Sequence, residues 1–276
     1  MKHVIASVRR TVGPPVRATT AASVRRFGYD LVPVTPPDKL RSLLGRLRPV
    51  TTDVPLIRMG PDGDGGYLVP DDLDDLVACF SPGVGNASGF ELECAERGMD
   101  IFMADASVDA PADQHPRFHF VKKFIGPVDD HQTEGFEQWA QGALHGRTGD
   151  LMMQMDIEGA EWTALPTIPS SLLRRFRILV IEFHMLDQLF DYPTFKLLAP
   201  VLDRLLSGHM CVHLHPNNCC GTVTRRGIEL PPVLEATFLR RDRAEPTGFV
   251  ASFPHPLDID NTPKPSIVLP TSMTRR

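Results

Sequence analysis

Ala78-Cys-Phe-Ser-Pro-Gly-Val-Gly-Asn-Ala-Ser-Gly-Phe-Glu91, followed by Ile101-Phe-Met-Ala-Asp105, decides how this chain is read. An apolar run ends in a Gly-Val-Gly turn, a helical segment from Phe90 to Arg97 follows, and a second apolar run ends in an acid. Glycines lack a Cβ, so the backbone turns tightly there and can approach a ligand closely. An acid at the tip of the second strand can accept hydrogen bonds from both hydroxyls of a ribose. Gly85 and Asp105 stand twenty residues apart, the strand–helix–strand spacing of nucleotide-binding folds. The stretch points to an adenosine-containing cofactor held by Gly83, Gly85, Ser88 and Asp105. Ser88 stands where a dinucleotide fingerprint has its third glycine, which packs helix against strand beside a pyrophosphate. S-adenosylmethionine (SAM) has no pyrophosphate, so the broken pattern favours SAM over a nicotinamide dinucleotide.

Working outward, 276 residues suffice for one large domain with a sizeable core. Hydrophobic content of 42% and charged content of 23% are those of an ordinary globule. Cys79, Cys94, Cys211, Cys219 and Cys220 form no C-x-x-C pair and are odd in number, which fits a reducing, cytoplasmic compartment. No apolar run approaches the length of a membrane span. The net charge of −5 hides an asymmetry: residues 1–50 carry ten Lys and Arg against two acids, Asp30 and Asp38. This basic N-terminal segment reads as a solvated tail or as a surface that rests on anionic lipid headgroups. It lacks the interleaved aromatics of a nucleic-acid binder, and the body is acidic, so no nucleic acid is expected as partner.

Pro37 to Leu47 reads as a short basic helix with Leu40, Leu43, Leu44 and Leu47 at helical spacing. The sequence organises as this tail and helix over 1–50 and one domain over 51–276. Strands are predicted near 76–81, 100–104, 118–124, 151–156, 177–183, 209–215 and 233–240, and helices near 88–97, 134–144, 159–174 and 193–207. Alternation of this kind makes a mostly parallel sheet covered by helices on both faces. Only the turn-rich Pro216 to Pro232 separates the last two strands, so the last is antiparallel. That is a Rossmann-like class I methyltransferase architecture, seven-stranded with an antiparallel last strand.

Ligands of such sheets sit beyond the carboxyl ends of the strands. The fourth strand ends in Asp156-Ile-Glu158-Gly-Ala-Glu161, the fifth in Glu182-Phe-His184, and the sixth in His213-Leu-His215-Pro-Asn217-Asn218. Taken singly, Asp156 and Glu158 also suit the first turn of a helix, and His213 suits the core. Together, three tips surround one crevice with acids, imidazoles and amides.

Asp156-Ile-Glu-Gly-Ala-Glu161 resembles the signature of FkbM-type SAM-dependent O-methyltransferases. Glu182, the Asp-Gly-Gly-Tyr67 turn, His215-Pro-Asn-Asn218 and Leu257-Asp-Ile-Asp-Asn261 resemble features of sugar-modifying relatives. The resemblance runs from about Leu56 to about Leu269. It departs at Ser81, where many methyltransferases carry an acid two residues before the first glycine. It implies methyl transfer from SAM to a hydroxyl of a glycolipid, polysaccharide or glycosylated natural product. Gly83, Gly85, Ser88, Asp105 and Asp156 would then hold the cofactor, and Tyr67, Glu158, Asn217 and Asn218 the acceptor.

A sugar hydroxyl is a poor acid and needs a base or a cation as it attacks. His184 and His215 are the candidate bases, and His215 is preferred because Asn217 and Asn218 adjoin it. Asp156, Glu182 and His184 are the candidate ligands of Mg²⁺ or Mn²⁺, since oxygens suit both ions and manganese tolerates imidazole. Asp62-Gly-Asp64 starts like a calcium loop but has Leu73 at the twelfth position, and His213, His215, Cys219 and Cys220 make a weak zinc set. The competing readings are methylation of a polyketide-type hydroxyl, a nicotinamide-dependent oxidoreductase and a non-catalytic nucleotide-binding module. A homo-oligomer is compatible with all of them.

Overall fold

Seven strands pair into one sheet in the computed structural model, which describes residues 23–26, 28 and 30–274. From residue 37 the chain forms helix α1 (Pro37–Leu47), strands β1 (Val50–Thr51), β2 (Leu56–Met59), β3 (Tyr67–Pro70) and β4 (Ala78–Pro82), and helix α2 (Gly89–Glu96). Strands β5 (Asp100–Ala104), β6 (Phe118–Val121), β7 (Phe124–Gly126) and β8 (Thr133–Gly135) follow, then helix α3 (Phe136–Leu144) and strand β9 (Leu151–Met155). Next come short helices α4 (Glu161–Ala164) and α5 (Ser170–Leu173), strand β10 (Phe176–Phe183), helix α6 (Tyr192–Gly208) and strand β11 (His209–Pro216). The chain closes with β12 (Val223–Arg225), β13 (Ile228–Leu230), β14 (Leu234–Arg240), β15 (Gly248–Phe249) and helix α7 (Thr271–Thr274).

The sheet runs β11-β14-β10-β9-β4-β5-β6, and β14 is antiparallel to both its neighbours. The other pairings are parallel. From β4 the chain winds outward through β5 and β6, then returns to β9 and winds the opposite way. β4 and β9 therefore flank the switch point, where diverging connections leave a crevice at the carboxyl edge. This is the Rossmann-like class I methyltransferase fold, with the antiparallel last strand inserted between β10 and β11.

Both sheet faces are covered, so the central strands are apolar throughout rather than alternating. On one face α1, α3 and α6 pack Leu43, Leu44, Phe136, Trp139 and Leu202 against Phe80, Met153, Ile181 and Phe238. Phe80 lies 5.1 Å from the rings of both Phe102 and Trp139. Each such fully buried aromatic contributes about 1.5–3 kcal/mol. On the other face, α2 shares the work with the β2–β3 hairpin, which lays Met59, Tyr67 and Val69 beside Phe90 over Cys79, Met103 and Val180. The five cysteines form no disulfide.

Several expectations change. Helix α1 is not part of an appendage: its four leucines are buried in the main core, and β1 pairs with β15. The helix expected over 159–174 breaks into α4, a 3-10 turn and α5, because Pro166 and Pro169 lack the N–H that would continue it. The strand expected over 118–124 ends at Val121; β7 peels away to pair with β8 and forms one wall of the crevice. The turn-rich Pro216 to Pro232 folds into its own small hairpin, β12–β13. The membrane-contact expectation for the basic N-terminal segment falls largely on residues 1–22, outside the described residues. No helix among the described residues is long and apolar enough to cross a membrane.

Candidate active site

Two glycines at the tip of β4 do different jobs. Gly83 has φ +87°, donates its N–H to the Ala104 carbonyl at 3.0 Å, and passes so close to β9 that a Cβ would sit 1.5 Å from the Asp156 carbonyl oxygen. Gly85, at φ +56°, would place a Cβ with nothing inside 4 Å. It faces a crevice made of two cavities, of about 460 and 360 Å³, which share Gly83, Gly85, Asp156 and Glu158. The larger is walled by Asp105, Phe124, Ile125 and Pro127, the smaller by Asp64, Tyr67, Glu91 and Gln154. Asp105 Oδ2 accepts the Gly85 N–H at 3.0 Å, while Oδ1 accepts both the N–H and the hydroxyl of Ser107 at 2.7 Å. Burial works against its charge, but these hydrogen bonds outweigh it and hold the carboxyl below its ordinary pKa. The acid thus shapes the glycine turn and lines the cavity as a carboxylate.

The acid that Ser81 lacks arrives from elsewhere. Ser81 Oγ lies 2.5 Å from Glu91 Oε1 and 2.8 Å from Gln154 Oε1, and Gln154 Nε2 donates to the Tyr67 hydroxyl at 3.1 Å. A hydroxyl has one proton, so Ser81 donates to one oxygen and must accept from its other neighbour. The Gln154 amide, turned over, meets that need, and burial pushes the Glu91 pKa up to about 6 against the opposing Ser81 bond. Glu91 sits in the first turn of α2, and nothing in its sequence position announces that it folds back to the strand tip.

The acid motif explains itself once folded. Glu158 is left-handed at φ +56° and Gly159 at φ +102°. The loop is closed by Glu161 Oε1, which accepts the N–H groups of Ile157 at 2.9 Å and Gly159 at 3.2 Å. His184 Nδ1 lies 3.3 Å from the same oxygen, and Trp162 Nε1 donates to the His184 carbonyl at 2.7 Å. His184 Nε2 is 3.9 Å from Asp156 Oδ1, 3.4 Å from Glu158 Oε2 and 3.9 Å from Glu182 Oε1. Four carboxylates therefore surround one imidazole. Burial pushes Asp156 up to about 7, partly offset by His184, and pushes Glu182 up to about 10 with Asp156 and Glu235 adding repulsion. For His184 burial disfavours the charge, yet Glu161, Asp156 and Glu158 prevail and raise its pKa.

Other expected site residues are spent elsewhere. Ser88 exchanges hydrogen bonds with Asp113, accepting its N–H at 2.8 Å and donating to its carboxylate at 2.9 Å, and it lines neither cavity. Asn218 uses every valence on the C-terminal segment, donating to the carbonyls of Thr262 and Lys264 and accepting from the N–H and hydroxyl of Thr262. It clamps that segment and has nothing left for a sugar. Asn217 donates to Glu182 Oε1 at 2.9 Å and accepts from the Cys219 N–H, so it orients an acid. Tyr67 and Glu158 do line the crevice. The weak zinc set is not drawn together among the described residues.

His215 is the largest correction. Both its ring nitrogens are buried, and Asp258, on the C-terminal segment, sits 2.9 Å from His213 Nε2 and 3.6 Å from His215 Nδ1. An acceptor hydroxyl cannot reach it without opening this sandwich, so His184, beside two crevice acids, is the better placed imidazole. Burial opposes charge on His215, but Asp258 and Glu235 outweigh it and raise the pKa. Its stabilisation is present below the unfolded-state value and is lost as pH rises through the raised folded value. Burial would raise Asp258, but His213 and His215 hold it far below the carboxylate range, so its contribution is lost only in strong acid. Replacing His215 with alanine is accordingly expected to lower the urea midpoint more at about pH 5.5 than at about pH 9. Equal losses at the two pH values would show that the buried pair carries no charge.

No protein-family model matches the chain, and no curated protein sequence matches it. Among solved structures it is similar to the Burkholderia thailandensis 1,6-didemethyltoxoflavin-N1-methyltransferase with bound 1,6-didemethyltoxoflavin and S-adenosylhomocysteine. Identity is 15%, the match covers 61% of this chain and 72% of that one, and the TM-score is 0.29. A likeness of that size adds nothing to the strand order, on which the fold assignment stands.

Proposed function

We propose that the chain is a SAM-dependent O-methyltransferase that methylates a sugar hydroxyl. The observation that carries this reading is the crevice at the β4–β9 switch point. There Gly85 leaves open space, Asp105 offers a carboxylate on one side, and the Asp156–His184 cluster stands at the junction of two cavities. Those features suit SAM: Asp105 for the ribose, Phe124 and Ile125 for the flat adenine, and Glu91 with Asp64 for a cationic amino group. When bound, SAM supplies a sulfonium methyl already activated for attack by an oxygen nucleophile.

What this chain adds is orientation and a destination for a proton. Asp156 and Glu158 line both cavities and also approach His184 Nε2, so a hydroxyl held by these acids can pass its proton to a basic atom of the cluster. Asp64, Asp156 and Glu158 line the crevice with acceptor oxygens, and none has a lysine or arginine ion-pair partner among the described residues. A polyhydroxylated acceptor supplies the O–H donors that such a surface calls for. The acceptor class also follows the resemblance carried by Asp156-Ile-Glu-Gly-Ala-Glu161.

Incubation of protein and SAM with a candidate glycan pool is expected to add methyl mass to one component by mass spectrometry. An Asp105→Ala variant is expected to bind SAM more weakly by about 1.5–3 kcal/mol, roughly tenfold or more. Unchanged calorimetric affinity in that variant, folded, would remove Asp105 from the ribose.

A further inference from the structure

Asp156, Glu161 and His184 come from the loop after β9, the first turn of α4 and the residue after β10. One ligand atom from each lies within 4.8 Å of the others, and this is the only such trio among the described residues. Donor atoms on one Mg²⁺ or Mn²⁺ ion stand about 3 Å apart when adjacent and about 4.2 Å apart when opposite, so the trio must contract onto a shared ion. An acid cluster alone does not make a site. Here, however, Asp156 Oδ1 and Glu161 Oε2 are both buried without a hydrogen-bond partner, and Glu161 is fully buried. Burial without a hydrogen bond is costly for such oxygens, and Asp156 Oδ1 faces only the His184 ring, at 3.9 Å. Nor can Glu161 turn away, since its other oxygen is pinned by the Ile157 and Gly159 N–H groups beside His184 Nδ1. Among the described residues, the only cationic partner that the cluster finds is the one imidazole.

We propose that Asp156, Glu161 and His184 bind one divalent cation of the Mg²⁺ or Mn²⁺ class, with an acceptor hydroxyl as a further ligand. Carboxylate oxygens suit both ions, and the imidazole favours manganese. Glu182, expected in this set from sequence, is not one of the three; its Oε1 is tied to Asn217. The site stands on its geometry, while its use in catalysis rests on the methyl-transfer reading. A hydroxyl on the ion is more acidic, and its proton passes to Glu158, the carboxylate of the cluster that is open to solvent at 87% side-chain exposure. The freed oxygen pair forms the C–O bond as the C–S pair returns to sulfur.

The test titrates the metal-stripped full chain with Mn²⁺ and follows loss of the free-ion electron paramagnetic resonance signal. One Mn²⁺ per chain is expected, with imidazole nitrogen coupling in the pulsed spectrum and competition by Mg²⁺. Asp156→Asn and Glu161→Gln are each expected to weaken binding by roughly tenfold or more, and His184→Gln to abolish the nitrogen coupling. Circular dichroism accompanies each variant. Should Glu161→Gln misfold, Asp156→Asn and the nitrogen coupling still decide. Absence of saturable Mn²⁺ binding, or unchanged affinity in folded Asp156→Asn, overturns the site. Calorimetry with SAM separates the two readings: SAM binding without Mn²⁺ binding overturns only the cation, and Mn²⁺ binding without SAM binding overturns only the cofactor.

Discussion

A His184→Ala variant is expected to transfer methyl groups roughly 10²–10⁴-fold more slowly while binding SAM as tightly as the parent chain. His184 is where the acids of the fourth and fifth strand tips converge: Asp156, Glu158, Glu161 and Glu182 all lie within 3.9 Å of its ring nitrogens. It lines neither cavity itself, so its loss should leave the cofactor's contacts in place. The effect should fall on turnover rather than on cofactor affinity, whether the imidazole takes the proton or holds an ion. His215→Ala serves as the contrast. Removing that ring leaves Asp258 and Glu235 buried with one partner fewer, which costs stability, but the atoms concerned are sealed from the crevice. Turnover per folded molecule should drop far less. Single-turnover transfer and calorimetric SAM binding on both variants decide the matter. Full activity in His184→Ala, with collapse in folded His215→Ala, would move the chemistry across the sheet to β11.

The gap between His184 and His215 marks where local sequence stops being informative. Strand tips were legible because apolar runs bounded by glycine and acids are local signals, and Asp100–Ala104 and Gly83–Gly85 stand as the pattern predicts. A mostly parallel sheet followed from strand–helix alternation alone, whereas the strand order that sets β4 beside β9 did not. What could not be read is who faces whom. His213-Leu-His215 alternates as a strand should, but only the fold shows that the Asp258 carboxylate bridges the two rings. Asn218 looked like a sugar-binding amide, yet its four hydrogen bonds go to Thr262 and Lys264. Glu91 replaces the missing acid beside Ser81 by a contact across α2 that no spacing rule describes. Even the break after α4 had a local sign, Pro166 and Pro169.

Gly83→Ala is expected to destabilise the fold by about 2–5 kcal/mol, combining left-handed strain of about 1–2 kcal/mol with overpacking of about 1–3 kcal/mol. Against a typical total of about 5–15 kcal/mol, that is a large share. The new methyl would meet the Asp156 carbonyl, which is backbone and cannot swing aside; relief requires β4 and β9 to part at the switch point. Such a parting would also stretch the hydrogen bond that the Asp156 N–H donates to the Pro82 carbonyl, the link that registers the two tips. Gly85→Ala shares the positive φ but meets no atom, so its stability cost should stay near the strain alone, about 1–2 kcal/mol. Its methyl instead projects into the space that the proposed cofactor needs, and SAM affinity should fall. The pair of variants thus separates a glycine required by the protein from one required by its ligand. Urea unfolding of both, with SAM calorimetry on whichever folds, would contradict this division if Gly85→Ala proved as unstable as Gly83→Ala, or if it bound SAM undiminished.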